Sequence, residues 1–248
     1  MPRKIVVLLS AVCLLASGAA VANEALKKTL QAKVPQLKIE SVAKSPLPGF
    51  YEVIADGNIF YVDEKGQFLI VADRVINLDS KKDILEERVN RLSAVRFDSL
   101  PLDLAFKKVK GNGKRRLAVF SDPDCPYCRR LEQDLTKLND VTVYTFLLPI
   151  DQLHPAATEK ARAVWCAPDR QKTWDDLMLN NVDPSGAKAC ENPVDKIVAF
   201  AQQKRINATP TMILGDGTRI SGAKSAAELD RLLNEADARC AKEGKSVC

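Results

Sequence analysis

The sequence has one histidine, His154, and one CxxC, Cys125-Pro126-Tyr127-Cys128. A closed zinc site takes four nitrogen or sulfur ligands at characteristic spacings, so ligands at the usual spacing for one are lacking. Beyond residue 22 no stretch is apolar for the ~20 residues that a membrane-spanning helix needs. Charge of one sign is lacking too: 37 Lys and Arg stand against 32 Asp and Glu, interspersed along the chain. No basic block of the kind that tracks a phosphate backbone results, and no nucleic-acid partner is expected. Internal repeats and low-complexity tracts are absent.

What is present begins with an export signal. Arg3 and Lys4 give a positive start, Ile5 to Leu15 a short apolar run, and Ala20-Val21-Ala22 the small residues of a cleavage site. Cys13 raises a lipoprotein reading, but Val12 before it suits lipobox cleavage poorly, and Cys13 is expected to leave with the signal. Cleavage after Ala22 would shorten 248 residues to 226 and lower the formal charge from +5 to +3, as Arg3 and Lys4 depart. Six of the seven cysteines then remain, at 125, 128, 166, 190, 240 and 248, an even number in a chain addressed to a compartment where disulfides persist. Six cysteines allow fifteen pairings.

Two differently patterned regions follow. In residues 23–79, Leu26, Leu30 and Val34 recur at helical spacing before Pro35. Three β-type runs, 50–54, 59–62 and 68–71, are then separated by the turn-forming segments 55–58 and 63–66, which reads as one helix and a small antiparallel meander. Residues 80–92 mix Lys81, Asp83, Glu86, Glu87, Arg88 and Arg91 with Ile84, Leu85, Val89 and Leu92. This is an amphipathic helix placed where a connector would lie. From Leu117 a buried strand leads directly into the CxxC, a helix carrying Leu131, Leu135 and Leu138, and a second apolar strand at 141–150, the order of a parallel crossover unit. Helices are predicted at 156–166 and 174–180. Another opens with Asn192 as cap and Pro193 at its first position and runs to about Arg205; a hairpin spans 211–220, and Ser225 with Glu228 forms a capping box for the last helix.

The chemistry resides in the CxxC. Disulfide exchange needs a thiolate that attacks and a second thiol near enough to release the mixed disulfide. At a helix start the first cysteine meets unpaired N–H groups and the helix dipole, which favour its thiolate, while the second lies a turn further in. Cys125 is therefore the expected attacking thiolate, with a lowered pKa, and Cys128 the resolving thiol. No cofactor is implied. Half of a zinc site and a plain structural disulfide are the competing readings, and neither requires this strand-to-helix setting. Arg129 and Arg130 read as solvated helix residues, and Tyr127, His154, Trp165 and Trp174 as packing or surface residues.

With Thr209-Pro210-Thr211 ahead of the hairpin, the stretch 120–128 resembles the thioredoxin-fold catalytic domain of the DsbC/DsbG periplasmic disulfide isomerases. The resemblance extends over nearly the whole mature chain. It implies an α/β thioredoxin-like catalytic domain with a helical insertion (96–248), a small α+β N-terminal dimerisation domain (23–79) and a helical linker (80–95) behind the signal (1–22). It also implies a homodimer in the periplasm, a cis-proline at Pro210 that presents the backbone of Thr209 to substrate, and a structural disulfide between Cys166 and Cys190. Closing a loop of that length stabilises a fold by roughly 3 kcal/mol in the chain-entropy account. Cys240 and Cys248 depart from the pattern; a small tail ring, a bond between chains and an accessory redox pair are open to them, and the ring is favoured.

The family further implies misfolded, disulfide-containing secreted proteins as substrates and a membrane reductase of the DsbD type as the partner that keeps the pair reduced. Pro126-Tyr127 also occurs in glutaredoxins and DsbG-like proteins, whereas the usual DsbC pattern has glycine before tyrosine. A DsbG-like reductase of single oxidised cysteines with chaperone activity is therefore the alternative, and a non-enzymatic holdase a further one.

Overall fold

The computed structural model describes residues 16–184 and 190–242. The chain divides into two compact units, Met1–Val89 and Asn90–Cys248.

In the first unit, α1 (Ala16–Lys33) starts ahead of the expected cleavage point and gives way before Pro35, which lacks the N–H a helix would use. Its Leu26 and Leu30 are buried against Ile39, Val42, Val53, Ala55 and Val62. Those residues belong to a sheet of β1 (Ile39–Lys44), β2 (Phe50–Ala55), β3 (Asn58–Asp63) and β4 (Leu69–Ile70), antiparallel in that order. Asp56 and Gly57, both with positive φ, make the two-residue turn between β2 and β3, a geometry in which Asp-Gly is favoured. β1 is absent from the sequence reading because its buried positions, Ile39 and Val42, are three apart: a bulge between Ile39 and Ser41 breaks the period of two.

The short pair β5 (Ile76–Asn77) and β6 (Lys82–Asp83) precedes α2 (Ile84–Leu92). The predicted helix starts late because the Asp83 carboxylate accepts hydrogen bonds from the N–H groups of Leu85 and Glu86, capping the helix there. Arg88 forms a bidentate ion pair with Glu52, which is buried on β2.

The second unit is built on a five-stranded sheet ordered β11-β10-β8-β9-β7. Its strands are β7 (Phe106–Lys110), β8 (Arg115–Ser121), β9 (Val141–Leu147), β10 (Thr211–Leu214) and β11 (Arg219–Ser221). β8 and β9 run parallel, joined by α3 (Pro126–Leu135), and the other pairs are antiparallel. Burial on both faces explains why β8 and β9 read as continuous apolar runs. Phe120 and Phe146 stack between them at 4.6 Å. Gly217 turns the β10–β11 hairpin at φ +90°, and a side chain there would come within 2.9 Å of the Val95 carbonyl.

Helices cover both faces. α7 (Ala226–Lys242) lies with α3 on one, its Leu229, Leu233, Ala236 and Cys240 packing with Leu131 and Leu135. On the other, Ile197 and Ala201 of α6 (Val194–Gln203) pack with Phe120 and Phe146. α6 starts one residue later than predicted, with Pro193 in the cap position and the Asn192 side chain accepting from Val194 N–H. Between β9 and α6 stand α4 (Ala157–Cys166) and α5 (Arg170–Asn180), the helical insertion.

Candidate functional site

β8 runs out at Ser121, and the chain turns over a buried carboxylate before α3 begins. Asp122 is fully buried; its oxygens accept from Asp124 N–H at 2.8 Å and Ile150 N–H at 2.7 Å, tying the turn to the segment after β9. Its carbonyl accepts from Cys125 N–H at 3.2 Å. Cys125 is the cap residue of α3, with extended backbone, and Pro126 takes the first helical position, where a missing N–H costs nothing.

Both cysteines are reduced and buried, in a cluster with Phe106, Leu147 and the insertion residues Val164, Trp165, Trp174 and Leu177. Cys125 Sγ lies 3.5 Å from the Thr209 carbonyl oxygen, and Asp122 N–H donates to Cys128 Sγ at 3.5 Å. Residues more than eighty positions apart therefore meet at one sulfur. The Thr209–Pro210 bond is cis.

The two thiols are driven apart in acidity. The Cys128 thiol, hydrogen-bonding to its neighbour's sulfur, lowers the Cys125 pKa to about 6 against the opposing effect of burial. The N–H groups of Cys128 and Tyr127 and the Thr209 side chain lower it further, the helix-start effect expressed through particular atoms. Cys128 moves the other way: burial, then the bond to Cys125, hold it protonated.

Cys166 and Cys190 are disulfide-bonded to each other. Cys240 is also disulfide-bonded, and Cys248 lies outside the described residues. Among the described residues no cluster of three or more His, Cys, Asp or Glu is arranged to hold a metal. No helix there is long and apolar enough to cross a membrane. Arg129 is held away from the sulfurs, donating to the Leu177 carbonyl at 3.2 Å and to Asn181. Tyr127 is exposed.

Three residues in or beside this region carry no signal in the sequence. His154 Nδ1 sits 3.1 Å from Asp122 Oδ1 without the alignment of a hydrogen bond. Lys160 reaches Asp124 from α4. Glu132 is a buried acid four residues beyond Cys128, on the same buried side of α3. It accepts from Trp174 Nε1 at 2.9 Å and borders a polar hollow of about 20 Å³, room for about one water, with Lys108, Gln171 and Asp175. Burial pushes its carboxyl up to about 7. Only a helix register and a partner from α5 distinguish it from a surface glutamate.

These features define a thioredoxin-like redox domain. A thioredoxin-like domain model matches residues 102–237, and the N-terminal domain model of disulfide bond isomerase proteins matches 17–86. A probable thiol:disulfide interchange protein DsbC from Bordetella avium is 41% identical over 207 residues, 84% of this chain and 73% of that one. The Escherichia coli K12 thiol:disulfide interchange protein DsbC is 25% identical over 88% of this chain and 91% of its own. A crystal structure of a disulfide interchange protein from Neisseria gonorrhoeae superposes with TM-score 0.54 at 44% identity, covering 55% of this chain and 98% of that one. The chain belongs to the DsbC family of thiol:disulfide interchange proteins, which are thiol–disulfide oxidoreductases.

Thiolate absorbance of the reduced protein should rise with a midpoint near pH 6. Cys128→Ala should raise that midpoint by about one pH unit or more through loss of the hydrogen bond; an unchanged midpoint would remove Cys128 as its cause. Because the Glu132 carboxyl titrates higher folded than unfolded, its burial costs nothing below pH ~4.5 and progressively more up to 7. Glu132→Gln should therefore stabilise the protein by about 2 kcal/mol at pH 8 and by almost nothing at pH 4, read from denaturant midpoints.

Proposed function

We propose that this chain is a periplasmic enzyme that isomerises or reduces incorrect disulfides in secreted proteins, with Cys125 as nucleophile, Cys128 as resolving thiol, and Thr209 and Pro210 as the substrate-binding loop. The observation that carries the proposal is the placement of the two sulfurs: Cys125 caps α3 with its Sγ 3.5 Å from the Thr209 carbonyl, and Cys128 is fully buried one turn inside, an arrangement that lowers the pKa of the first thiol and raises that of the second. The Cys125 thiolate attacks one sulfur of a substrate disulfide; an S–S bond forms, the substrate S–S breaks, and the departing sulfur leaves as a thiolate. That thiolate can attack another substrate disulfide, and the substrate thiolate released there attacks the mixed disulfide, forming a new substrate S–S bond and expelling Cys125 as its thiolate, with no net electron transfer. Alternatively Cys128 loses its proton and attacks Cys125, releasing reduced substrate and leaving the Cys125–Cys128 disulfide. A further turnover then requires two electrons from a dithiol reductant, the role assigned here to a membrane reductase of the DsbD type.

The position of the Thr209 carbonyl beside Cys125 supports its pairing with an extended substrate backbone, as in strand addition. The Cys166–Cys190 disulfide is assigned a structural role, bracing the insertion that covers the sulfurs. Residues 1–22 are assigned to the signal, 23–79 to dimerisation, 80–95 to the linker and 96–248 to catalysis, with a Cys240–Cys248 ring at the tail. Homodimerisation is supported by the first unit's surface: β4 is an edge strand, and Phe68, Val71 and Leu78 are 69%, 73% and 84% exposed.

Reduced protein in a glutathione buffer should restore activity to a scrambled multi-disulfide substrate, and Cys125→Ala should reduce that recovery to the buffer rate. Recovery independent of Cys125 overturns the enzyme reading; protection from aggregation without recovery by the intact protein favours the reductase and chaperone reading. In sedimentation equilibrium the protein should run at twice the chain mass and Phe68→Asp/Val71→Asp near once. A parent at single mass overturns the dimer.

A further inference from the structure

The residue immediately before the proposed nucleophile is an acid. Asp124 is bonded directly to Cys125, and Cys125 packs in one cluster with Ala161 of α4, the residue after Lys160, so the charges of Asp124 and Lys160 belong to the surroundings of that sulfur, where a like charge disfavours a thiolate. Lys160 meets this carboxylate: its Nζ lies 2.7 Å from Asp124 Oδ1 and 2.9 Å from Asp183 Oδ1. The Lys160 and Asp124 side chains are 23% and 19% exposed, so water screens them less than it does a surface pair; Asp183, 70% exposed, is well screened. Lys160 comes from α4 and Asp183 from the segment after α5, so the helical insertion supplies both partners.

The other charged groups beside the CxxC are otherwise engaged. Asp122 uses both oxygens on backbone N–H groups and lies beside the His154 ring, Arg129 points to the end of α5, and Arg130 is exposed. We propose that Lys160 is a positioning residue for thiol–disulfide exchange, cancelling the charge of Asp124 so that the sulfur of Cys125 stays ionised and the reduced pair stays favoured. The insertion thereby acts on the redox centre as well as covering it. This inference rests on Cys125 being the attacking thiol, but not on which substrates the protein serves.

The test is the thiolate absorbance midpoint of Cys125 in the reduced full-length protein, together with its equilibrium against a glutathione buffer at pH 8. Lys160→Met should raise the midpoint by about 0.5–1 pH unit and favour the Cys125–Cys128 disulfide by roughly 3- to 10-fold, whereas Lys160→Arg should stay near the parent. Asp124→Asn should lower the midpoint, and the double variant Asp124→Asn/Lys160→Met should return close to the parent. A merely structural lysine would move the unfolding midpoint and leave the titration in place. A Lys160→Met midpoint within about 0.2 pH units of the parent overturns the proposal. So does an Arg variant that behaves like the Met one. If Lys160→Met fails to fold, Asp124→Asn decides alone: a midpoint that holds or rises overturns the proposal. Neither readout uses a protein substrate, so failure of the isomerase reading would leave this result intact and separately interpretable.

Discussion

The hydrogen bond from the Cys128 thiol to the Cys125 sulfur couples two requirements that separately would conflict, since an attacking sulfur must be ionised and a buried sulfur resists ionisation. Cys128 is fully buried and keeps its proton; that proton, with the N–H groups at the start of α3, is what the Cys125 charge rests on. The arrangement needs both residues on one helical turn, the first at the cap and the second inside, and a CxxC on α3 supplies that spacing. It also needs the turn before the helix to be fixed. Asp122 fixes it, since a buried carboxylate with backbone donors on both oxygens ties the ends of β8 and β9 together.

The sheet and the insertion make this turn a site. Because β10 pairs with β8 in the register Thr211↔Phe120, the residues before Thr211 are carried to the end of β8 where α3 starts, and Thr209 arrives beside Cys125. The insertion closes the other side: Trp165, Trp174 and Leu177 bury the sulfurs in apolar surface, and Lys160 brings a cation to the residue before them. Apolar cover alone would push Cys125 toward the neutral thiol, so the polar contacts at the helix start must outweigh it.

Patterns that repeat within one element were legible in the sequence. The parallel unit from Leu117 to Ile150 is spelled out by two apolar runs and a helical repeat, and the Asp56-Gly57 turn by its residue types. β7 escaped because it is an edge strand with three lysines among five residues, alternating in burial from Phe106 in a way a short polar segment also shows. The cap at Asp83 and the bulge in β1 escaped because they depend on a partner strand or loop. Within the site the same division holds. Cys125 and Cys128 carry a local motif, whereas Glu132, Lys160 and His154 acquire their surroundings only when α5, Asp124 and Asp122 are brought beside them, and no spacing along the chain encodes those meetings.

α3 holds two groups whose ionisation is shifted toward neutrality from opposite sides, and their linkage to folding has opposite sign. The Glu132 carboxyl is raised, so stability present below about pH 4.5 is lost as pH rises toward 7. The Cys125 thiol is lowered from an ordinary value near 9, so its contribution is full at about pH 9 and lost as pH falls through 6. Above 9 Cys128 reverses the trend, since it stays protonated in the fold where an unfolded chain would ionise it. Glu132 titrates in both redox forms, whereas the thiol contribution exists only when the pair is reduced. The folding stability of the reduced form relative to that of the disulfide form must therefore grow between pH 6 and 9, and that growth measures how strongly the start of α3 holds the charge on Cys125.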